Sequence, residues 1–268
     1  MGDFAAPVLT AALAWWATTG LIMYLDGLRP STFRWSMAYC TLGMFAAVKV
    51  ISATSHDATP YGAYCGFGAA LMVWAWLEMS FLMGFVTGPR RTGCTPGAST
   101  WRRFREATGA IAYHEAAIAI ASTLVILATW TAPNPMAGWT IAVLWAMRLS
   151  AKLNLFLGVR NLGIEYLPPH LRYLAGYFAR RPMNALFPVS VTAATLVLAW
   201  IIEDVRTLRG DAFGVTSHAL LATLMALAIF EHWVMVLPFP TTALWSLGLA
   251  SHRQASEPAK DGIADTTA

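Results

Sequence analysis

The chain has 268 residues, of which 57% are hydrophobic and only 12% are charged. A soluble domain carries about twice that charged fraction, so the composition excludes a mainly soluble protein and indicates an integral membrane protein. The formal net charge of +4 does not indicate nucleic-acid binding, because the basic residues are spread over alternate connections and form no single patch.

Seven apolar stretches follow one another along the chain, each close to the ~20 residues that a helix needs to cross a bilayer. They cover approximately residues 5–25, 34–53, 63–86, 107–130, 138–157, 187–203 and 213–237. Turn-forming residues separate them, including Thr59-Pro60 before the third stretch and Gly88-Pro89 after it. The pattern predicts an all-α polytopic membrane protein with one bundle over residues 1–250 and a disordered cytoplasmic tail over 251–268.

The Lys and Arg residues between these stretches are distributed unevenly. The first, third and fifth connections and the tail hold 13 of them, whereas the second, fourth and sixth connections hold 2. The positive-inside rule therefore predicts an external N-terminus and a cytoplasmic C-terminus. No positively charged region precedes the first apolar stretch, so we expect no cleaved signal peptide.

Two of the predicted cytoplasmic connections are long, at residues 87–106 and 158–186. In the second, the segment from His170 to Arg181 contains the aromatic residues Tyr173, Tyr177 and Phe178 among three arginines. It is predicted to be either an amphipathic helix lying on the membrane, with its arginines reaching lipid phosphates, or a structured loop that caps the bundle.

Ionisable residues inside the apolar stretches are the main candidates for function. Threading the stretches back and forth places them about 8–13 Å from one membrane face, at 1.5 Å per residue. Such residues are costly in hydrocarbon and usually face a bundle interior or a cavity, where they pair with other groups. We call these seven residues the polar layer: Glu78, His114, Glu115, Arg148, Lys152, Glu231 and His232.

Three interpretations of the polar layer remain open. It is a network of ion pairs that fixes helix register, a site for a metal such as iron, or a ligand site. In the ligand site a histidine would coordinate a tetrapyrrole, and Arg148 or Lys152 would hold a carboxylate. The sequence has no Glu-x-x-His motif, and the adjacent pairs His114-Glu115 and Glu231-His232 point ~100° apart on a helix, which disfavours a di-iron site.

Three tryptophans also lie deep in the predicted bundle, at positions 74, 76 and 145. They either line a pocket for a flat pigment or pack between helices in the ordinary way. The three cysteines show neither a disulfide framework nor the spacing of a zinc site.

Long runs of this sequence resemble the PuhE family, photosynthetic complex assembly proteins of purple and related phototrophic bacteria. The resemblance extends over residues 15–247 and is most specific over residues 147–191. It rests on runs that include WWATTGLIMYLDGLRPSTFRWS, HDATPYGAYCGF, WAWLEMSFLMGFVTGPRRTGC, YHEAA, LWAMRLSAKLNLFLGVRNLGIEYLPPHLRYLAGYFARRPMNALFPVSV and FEHWVMVLPFPTTALW.

The resemblance implies a bacterial cytoplasmic-membrane factor that supports bacteriochlorophyll supply to the reaction centre and antenna, or their assembly. Its expected partners are photosynthetic complex subunits or other assembly factors, within the lipid bilayer. The resemblance assigns no catalytic residue. Alternative functions are a metal-dependent enzyme of pigment biosynthesis, a transporter or channel, and a structural scaffold.

Overall fold

The computed structural model describes residues 2–205, 207–208 and 210–238. This part of the chain is all-helical and contains seven helices that are long and apolar enough to cross a membrane. The helices are α1 (Gly2–Asp26), α2 (Phe33–Thr54), α3 (Pro60–Leu82), α4 (Thr100–Thr129), α5 (Met136–Leu157), α6 (Leu186–Val205) and α7 (Ala212–Val236). The predicted fold class, an all-α polytopic membrane protein, is confirmed, while the predicted tail over 251–268 lies outside the described residues.

Helix α3 is the central element of the bundle. In its most apolar window 67% of the residues are buried, against 11–39% for the other six spans. Its residues belong to four hydrophobic clusters, with Phe67 in one, Leu77 in a second, Phe81 in a third and Met79 in a fourth. Small residues allow this close packing, since a Cβ added at Gly66 would lie 3.3 Å from Met136 Cβ on α5.

Local signals in the sequence set several helix ends. Helix α3 begins where the Thr59 side chain accepts a hydrogen bond from Gly62 N (3.2 Å), with Pro60 in the first helical turn. Helix α4 begins in the same way where Ser99 accepts from Arg102 N (3.3 Å). Helix α7 begins where Asp211 accepts from Gly214 N (3.0 Å).

Two predicted boundaries near the polar layer are wrong. The apolar pattern predicts a third helix that continues to residue 86, but α3 ends at Leu82 because Gly84 adopts a left-handed backbone conformation with φ of +80°. Glu78 therefore lies one helical turn from the end of its helix. The pattern also predicts a fourth helix from residue 107, but α4 begins at Thr100, because basic residues outside the apolar stretch still form regular helix.

The connection from α3 to α4 folds back against α4 itself. Arg90 N donates to Gly109 O (3.2 Å), and His114 N donates to Thr87 O (3.0 Å). The contact is between two backbones, since a Cβ added at Gly88 would lie only 2.3 Å from Gly109 O. We call residues 87–90 the strap; it links the loop end of the bundle to the middle of α4.

The connection from α5 to α6 contains a 3-10 helix, Pro169–Tyr177. Its residues Leu171, Leu174 and Tyr177 are buried and cluster with Phe81 and Ala110 at the ends of α3 and α4. This segment covers the end of the bundle, as the loop-cap alternative describes, and it contributes no regular amphipathic α-helix.

Candidate functional site

Two ion pairs join α5 to its neighbours inside the bundle. Arg148 Nη2 donates to Glu78 Oε2 of α3 at 2.9 Å, and Lys152 Nζ donates to Glu115 Oε1 of α4. Arg148 and Lys152 lie one turn apart on one face of α5, as predicted, so this helix supplies both cations of the polar layer. The structure thus brings together four of the predicted residues from three helices.

The Glu78–Arg148 pair leaves hydrogen-bonding groups unused. Glu78 Oε1 and Arg148 Nε are buried and have no partner among the described residues. Buried polar groups are nearly always satisfied in native proteins, and the exceptions cluster at functional positions. This pair therefore has spare capacity to bind a further polar group.

Glu231 lies beside the ion pairs and has a different kind of partner. Its Oε1 accepts a hydrogen bond from Trp15 Nε1 of α1 (3.2 Å). Within the described residues no cation lies within ion-pair distance of Glu231, although its charge interacts with Arg148. The residue is exposed at the surface of the bundle. An exposed carboxylate near the end of a membrane-spanning helix needs water, a ligand or a partner protein to cover it.

Arg148 connects the carboxylates of the polar layer. It interacts electrostatically with Glu78, Glu231 and Glu115. His114 in turn interacts with Lys152, Glu78 and Arg148. Six of the seven predicted residues are therefore close enough to influence one another, and they come from helices α3, α4, α5 and α7.

His232 belongs to a neighbouring neutral network. Its Nδ1 lies 2.9 Å from Ala228 O, and its Nε2 lies 2.9 Å from Ser150 Oγ on α5. A carbonyl oxygen can only accept, so Nδ1 carries the hydrogen, and in the neutral ring Nε2 accepts from the Ser150 hydroxyl. Asn154 extends this network by donating to Ser150 O (3.0 Å) and to Ser190 Oγ of α6 (3.3 Å).

His114 is the most enclosed member of the polar layer. Its side chain is fully buried and stacks on Phe81, with ring centroids 4.3 Å apart and an interplanar angle of 21°. Neither ring nitrogen has a hydrogen-bond partner in the described part of the chain. The strap residue Thr87 accepts from the His114 backbone, and its own hydroxyl is likewise buried without a partner there.

Sequence reasoning missed several residues that organise this region, chiefly Trp15 and Asn184. The Asn184 Oδ1 accepts from Leu186 N (2.8 Å) at the start of α6, and its Nδ2 donates to Asn154 Oδ1 (3.0 Å) and Gly158 O (2.9 Å). An asparagine before an apolar run is a helix N-cap signal, so this position could have been found. No sequence signal indicates that Trp15 faces Glu231, because α1 and α7 are distant along the chain.

The structure also bears on the two remaining interpretations, a tryptophan-lined pocket and a metal site. The tryptophans at positions 74, 76 and 145 pack partly buried around a single hydrophobic cluster, and Trp76 Nε1 donates to Thr41 Oγ1 (3.0 Å). Their contacts are those of ordinary helix packing. Over the described ranges, no three His, Cys, Asp or Glu side chains converge closely enough to hold a metal ion.

The fold and the intramembrane charges define a seven-helix polytopic membrane protein. The sequence matches, over residues 1–256, the model of a family described as "Protein of unknown function (DUF3623)". The chain belongs to this family. It is also similar to a protein of Rhodobacter capsulatus described as "Uncharacterized 30.4 kDa protein in puhA 5'region", with 36% identity over 253 residues that cover 93% of this chain and 92% of the relative. No solved structure matches the chain.

Proposed function

We propose that this protein is a cytoplasmic-membrane factor that supports assembly of the bacterial photosynthetic apparatus. The relative from Rhodobacter capsulatus is described by its position in the 5' region of puhA, which supports a role related to photosynthesis. The resemblance of residues 15–247 to PuhE proteins supports the more specific role in assembly. The N-terminus is then periplasmic and the C-terminus cytoplasmic, in keeping with the distribution of basic residues.

We further propose that the polar layer receives the polar end of a pigment or pigment precursor. The observation that carries this proposal is the exposure of Arg148 and Glu231 within membrane-spanning helices. The Arg148 side chain is 39% exposed although it pairs with Glu78, and Glu231 is exposed beside Trp15. Charged groups at this position are costly against lipid chains, so a bound polar group that covers them would stabilise the protein.

The side chains fit a tetrapyrrole held by hydrogen bonds better than one held by histidine. His114 is completely buried under Phe81, and both nitrogens of His232 are already within hydrogen-bonding distance of protein oxygens. The Arg148 guanidinium, by contrast, has a single hydrogen bond among the described residues, to Glu78. Its remaining donors suit a carboxylate or keto oxygen, and the Trp15 indole offers a flat apolar surface.

A spectrum of the purified protein tests the proposal. The full chain is purified from a pigment-producing host, and its bound tetrapyrrole is quantified by absorption. Glu231→Gln removes the charge while keeping an acceptor for Trp15, and Trp15→Phe removes the indole donor. We expect either change to lower the bound pigment by about tenfold, because Glu231→Gln weakens the acceptor that a polar pigment group would use, and Trp15→Phe leaves that carboxylate without its indole donor. Each loss is comparable to that of one hydrogen bond to a charged group.

Trp16→Phe is the matched control, since Trp16 is the adjacent indole on α1 and is 49% exposed. It should retain the pigment. Thermal unfolding of each variant separates loss of binding from loss of folding, which is what a purely structural scaffold predicts. A wild-type protein without any tetrapyrrole, together with unchanged photocomplex yield in the Glu231→Gln strain, would refute the proposed site.

A further inference from the structure

A second polar region lies at the end of the bundle where α4 begins. An open depression there is lined by Arg90, Arg102, Arg105 and Glu106, which we call the basic shelf. Three guanidinium groups against one carboxylate leave this depression with a net charge of +2. The shelf is separate from the polar layer, since Glu106 lies nine residues before Glu115 along α4.

Glu106 organises the basic shelf because both of its carboxylate oxygens are fully used. Oε2 accepts from Thr95 N (2.9 Å) and from Arg90 Nη2 (3.3 Å). Oε1 accepts from the Thr95 hydroxyl (2.7 Å) and from Arg102 Nε (3.0 Å). The carboxylate is thus committed to holding the loop and two arginines in place, and it does not neutralise the remaining cation.

Arg90 is fixed from the opposite side by the segment that covers the bundle end. Its Nε donates to the Tyr177 hydroxyl (2.8 Å), and that hydroxyl donates to Thr92 O (2.8 Å). Arg90 Nη2 also donates to Gly93 O (2.9 Å). The hydrogen bond to Tyr177 raises the pKa of Arg90 above its ordinary value.

Arg105 differs from the other two arginines because its guanidinium has no partner in the described part of the chain. It is exposed, and none of the hydrogen bonds and ion pairs formed by the described residues involves its side chain. Arg102 is also largely open, with its side chain 56% exposed although its Nε donates to Glu106. Arg102 Nη2 makes one further contact, a long hydrogen bond to Thr95 Oγ1 (3.5 Å). The shelf therefore holds two exposed guanidinium groups that retain donors for a bound anion.

Exposed aromatic side chains stand beside these cations on the first turns of α4. Trp101 and Phe104 stack with ring centroids 5.7 Å apart, and both are exposed. Trp101 lies one helical turn before Arg105, on the same face. Indoles concentrate at the level of lipid headgroups in membrane proteins, which places the shelf at the membrane surface.

From this arrangement we propose that the basic shelf binds a phosphate group, with Arg105 and Arg102 as its principal ligands. Guanidinium groups match phosphate oxygens with paired hydrogen bonds, and Glu106 positions Arg102 before the phosphate arrives. The neighbouring aromatics favour the phosphate of an anionic phospholipid, whereas the open depression also admits a soluble phosphate. The proposal does not depend on the pigment site.

The test measures binding of fluorescent phosphatidylglycerol to the full chain in neutral detergent. Arg105→Gln removes a cation that forms no internal bond with the described residues, so the fold should be unaffected. We expect affinity to fall about fivefold, equivalent to the ~1 kcal/mol that one basic residue contributes near an anionic membrane surface. Arg105→Lys should recover part of the loss, because it restores the charge without the planar fork.

Arg29→Gln is the matched control, since Arg29 is another exposed arginine in a connection and lies outside the shelf. Its affinity should equal that of the wild-type protein. Competition with unlabelled phosphatidylglycerol, but not with inorganic phosphate or phosphatidylcholine, would identify the ligand as an anionic lipid. Equal competition by inorganic phosphate would support the site with a soluble ligand. An unchanged affinity of Arg105→Gln, or an equal loss in Arg29→Gln, would overturn the proposal.

Discussion

Glu78 in the polar layer and Glu106 in the basic shelf have nearly the same exposure but very different hydrogen bonding. Their side chains are 9% and 11% exposed, respectively. Glu106 accepts four hydrogen bonds on its two oxygens, whereas Glu78 accepts one from the described residues, donated by Arg148, and its second oxygen accepts none. A carboxylate with all its acceptor positions filled supports the structure around it, while one with a vacant position retains capacity for a ligand.

The same comparison explains which cations remain available. In the basic shelf both oxygens of Glu106 already accept hydrogen bonds, so the spare donors belong to Arg102 and Arg105. In the polar layer Glu78 and Arg148 each keep a hydrogen-bonding atom without a partner among the described residues, and Arg148 is accessible on one side. Each region thus combines a fixed ion pair with an open guanidinium, but only in the polar layer does the paired carboxylate, Glu78, accept a single hydrogen bond from the described residues.

The largest loss of stability should follow from removing the hydrogen bond that Arg148 donates to Glu78. Arg148→Gln leaves the Glu78 carboxylate covered and without a cation at bonding distance. We expect a loss of about 3 kcal/mol in the free energy of unfolding, the typical cost of orphaning a buried charge. Thermal unfolding of the purified protein in detergent measures this.

Glu78→Gln should cost less than Arg148→Gln, since the Arg148 guanidinium still interacts with the carboxylates of Glu231 and Glu115. The double variant Glu78→Gln, Arg148→Gln should recover most of the lost stability. Additive losses in this double-mutant cycle would mean that the two side chains do not act as a pair.

A substitution in the strap tests whether the polar layer and the basic shelf are coupled. The strap accepts a hydrogen bond from His114 of the polar layer and contains Arg90 of the shelf. Gly88→Ala places a methyl group 2.3 Å from Gly109 O, so the strap must separate from α4. We expect a loss of about 2 kcal/mol from strain and two broken backbone hydrogen bonds. Hydrogen exchange at the His114 and Arg90 amides reports the separation.

Gly93→Ala serves as the control for the strap, because its added Cβ meets nothing closer than Tyr173 O at 3.6 Å. Its stability should stay close to that of the wild-type protein. Unaltered amide protection in Gly88→Ala would contradict the backbone contact.

A smaller loss of stability is expected in the basic shelf, where both oxygens of Glu106 accept hydrogen bonds. Arg102→Gln removes one of four hydrogen bonds to Glu106 and leaves Arg90 as its ion-pair partner. Because the Arg102 side chain is mostly solvated, we expect a loss of about 0.5 kcal/mol in the free energy of unfolding. A loss as large as that of Arg148→Gln would show that the number of hydrogen bonds does not govern the difference between the two regions.

The smallest expected effect is a pH dependence centred on His170, whose ring packs near Phe33 (6.0 Å between centroids) and over Gly84. Burial lowers the pKa of His170 below its ordinary value of 6.5, with a further contribution from Arg91, and a backbone hydrogen bond at Leu82 partly opposes the shift. As the pH falls below 6.5, the unfolded chain takes up the proton before the folded one, so stability decreases.

Thermal unfolding between about pH 7.5 and about pH 5 should reveal this decrease, and His170→Asn should reduce its slope. A slope that is identical in His170→Asn would assign the pH dependence to other groups.

Much of the architecture is predictable because a membrane imposes it locally. A helix that crosses hydrocarbon must satisfy its own backbone and expose apolar side chains, so each span is visible as a run of about 20 apolar residues. Glu78, Glu115 and Arg148 are recognisable for the same reason, since charge within such a run is rare. The helical repeat alone also assigns Arg148 and Lys152 to one face of α5.

Only the tertiary structure decided which groups meet and how fully they are satisfied. Pairing of Glu78 with Arg148, the contact of Trp15 with Glu231 and the separation of His232 into a neutral network depend on how α1, α3, α5 and α7 pack. The early end of α3 at Gly84 and the strap along α4 depend on backbone conformation and close approach, which no hydropathy pattern encodes. Local sequence sets the depth of a side chain in the membrane, but its partners are set by helix rotation and packing, which arise from contacts between distant parts of the chain.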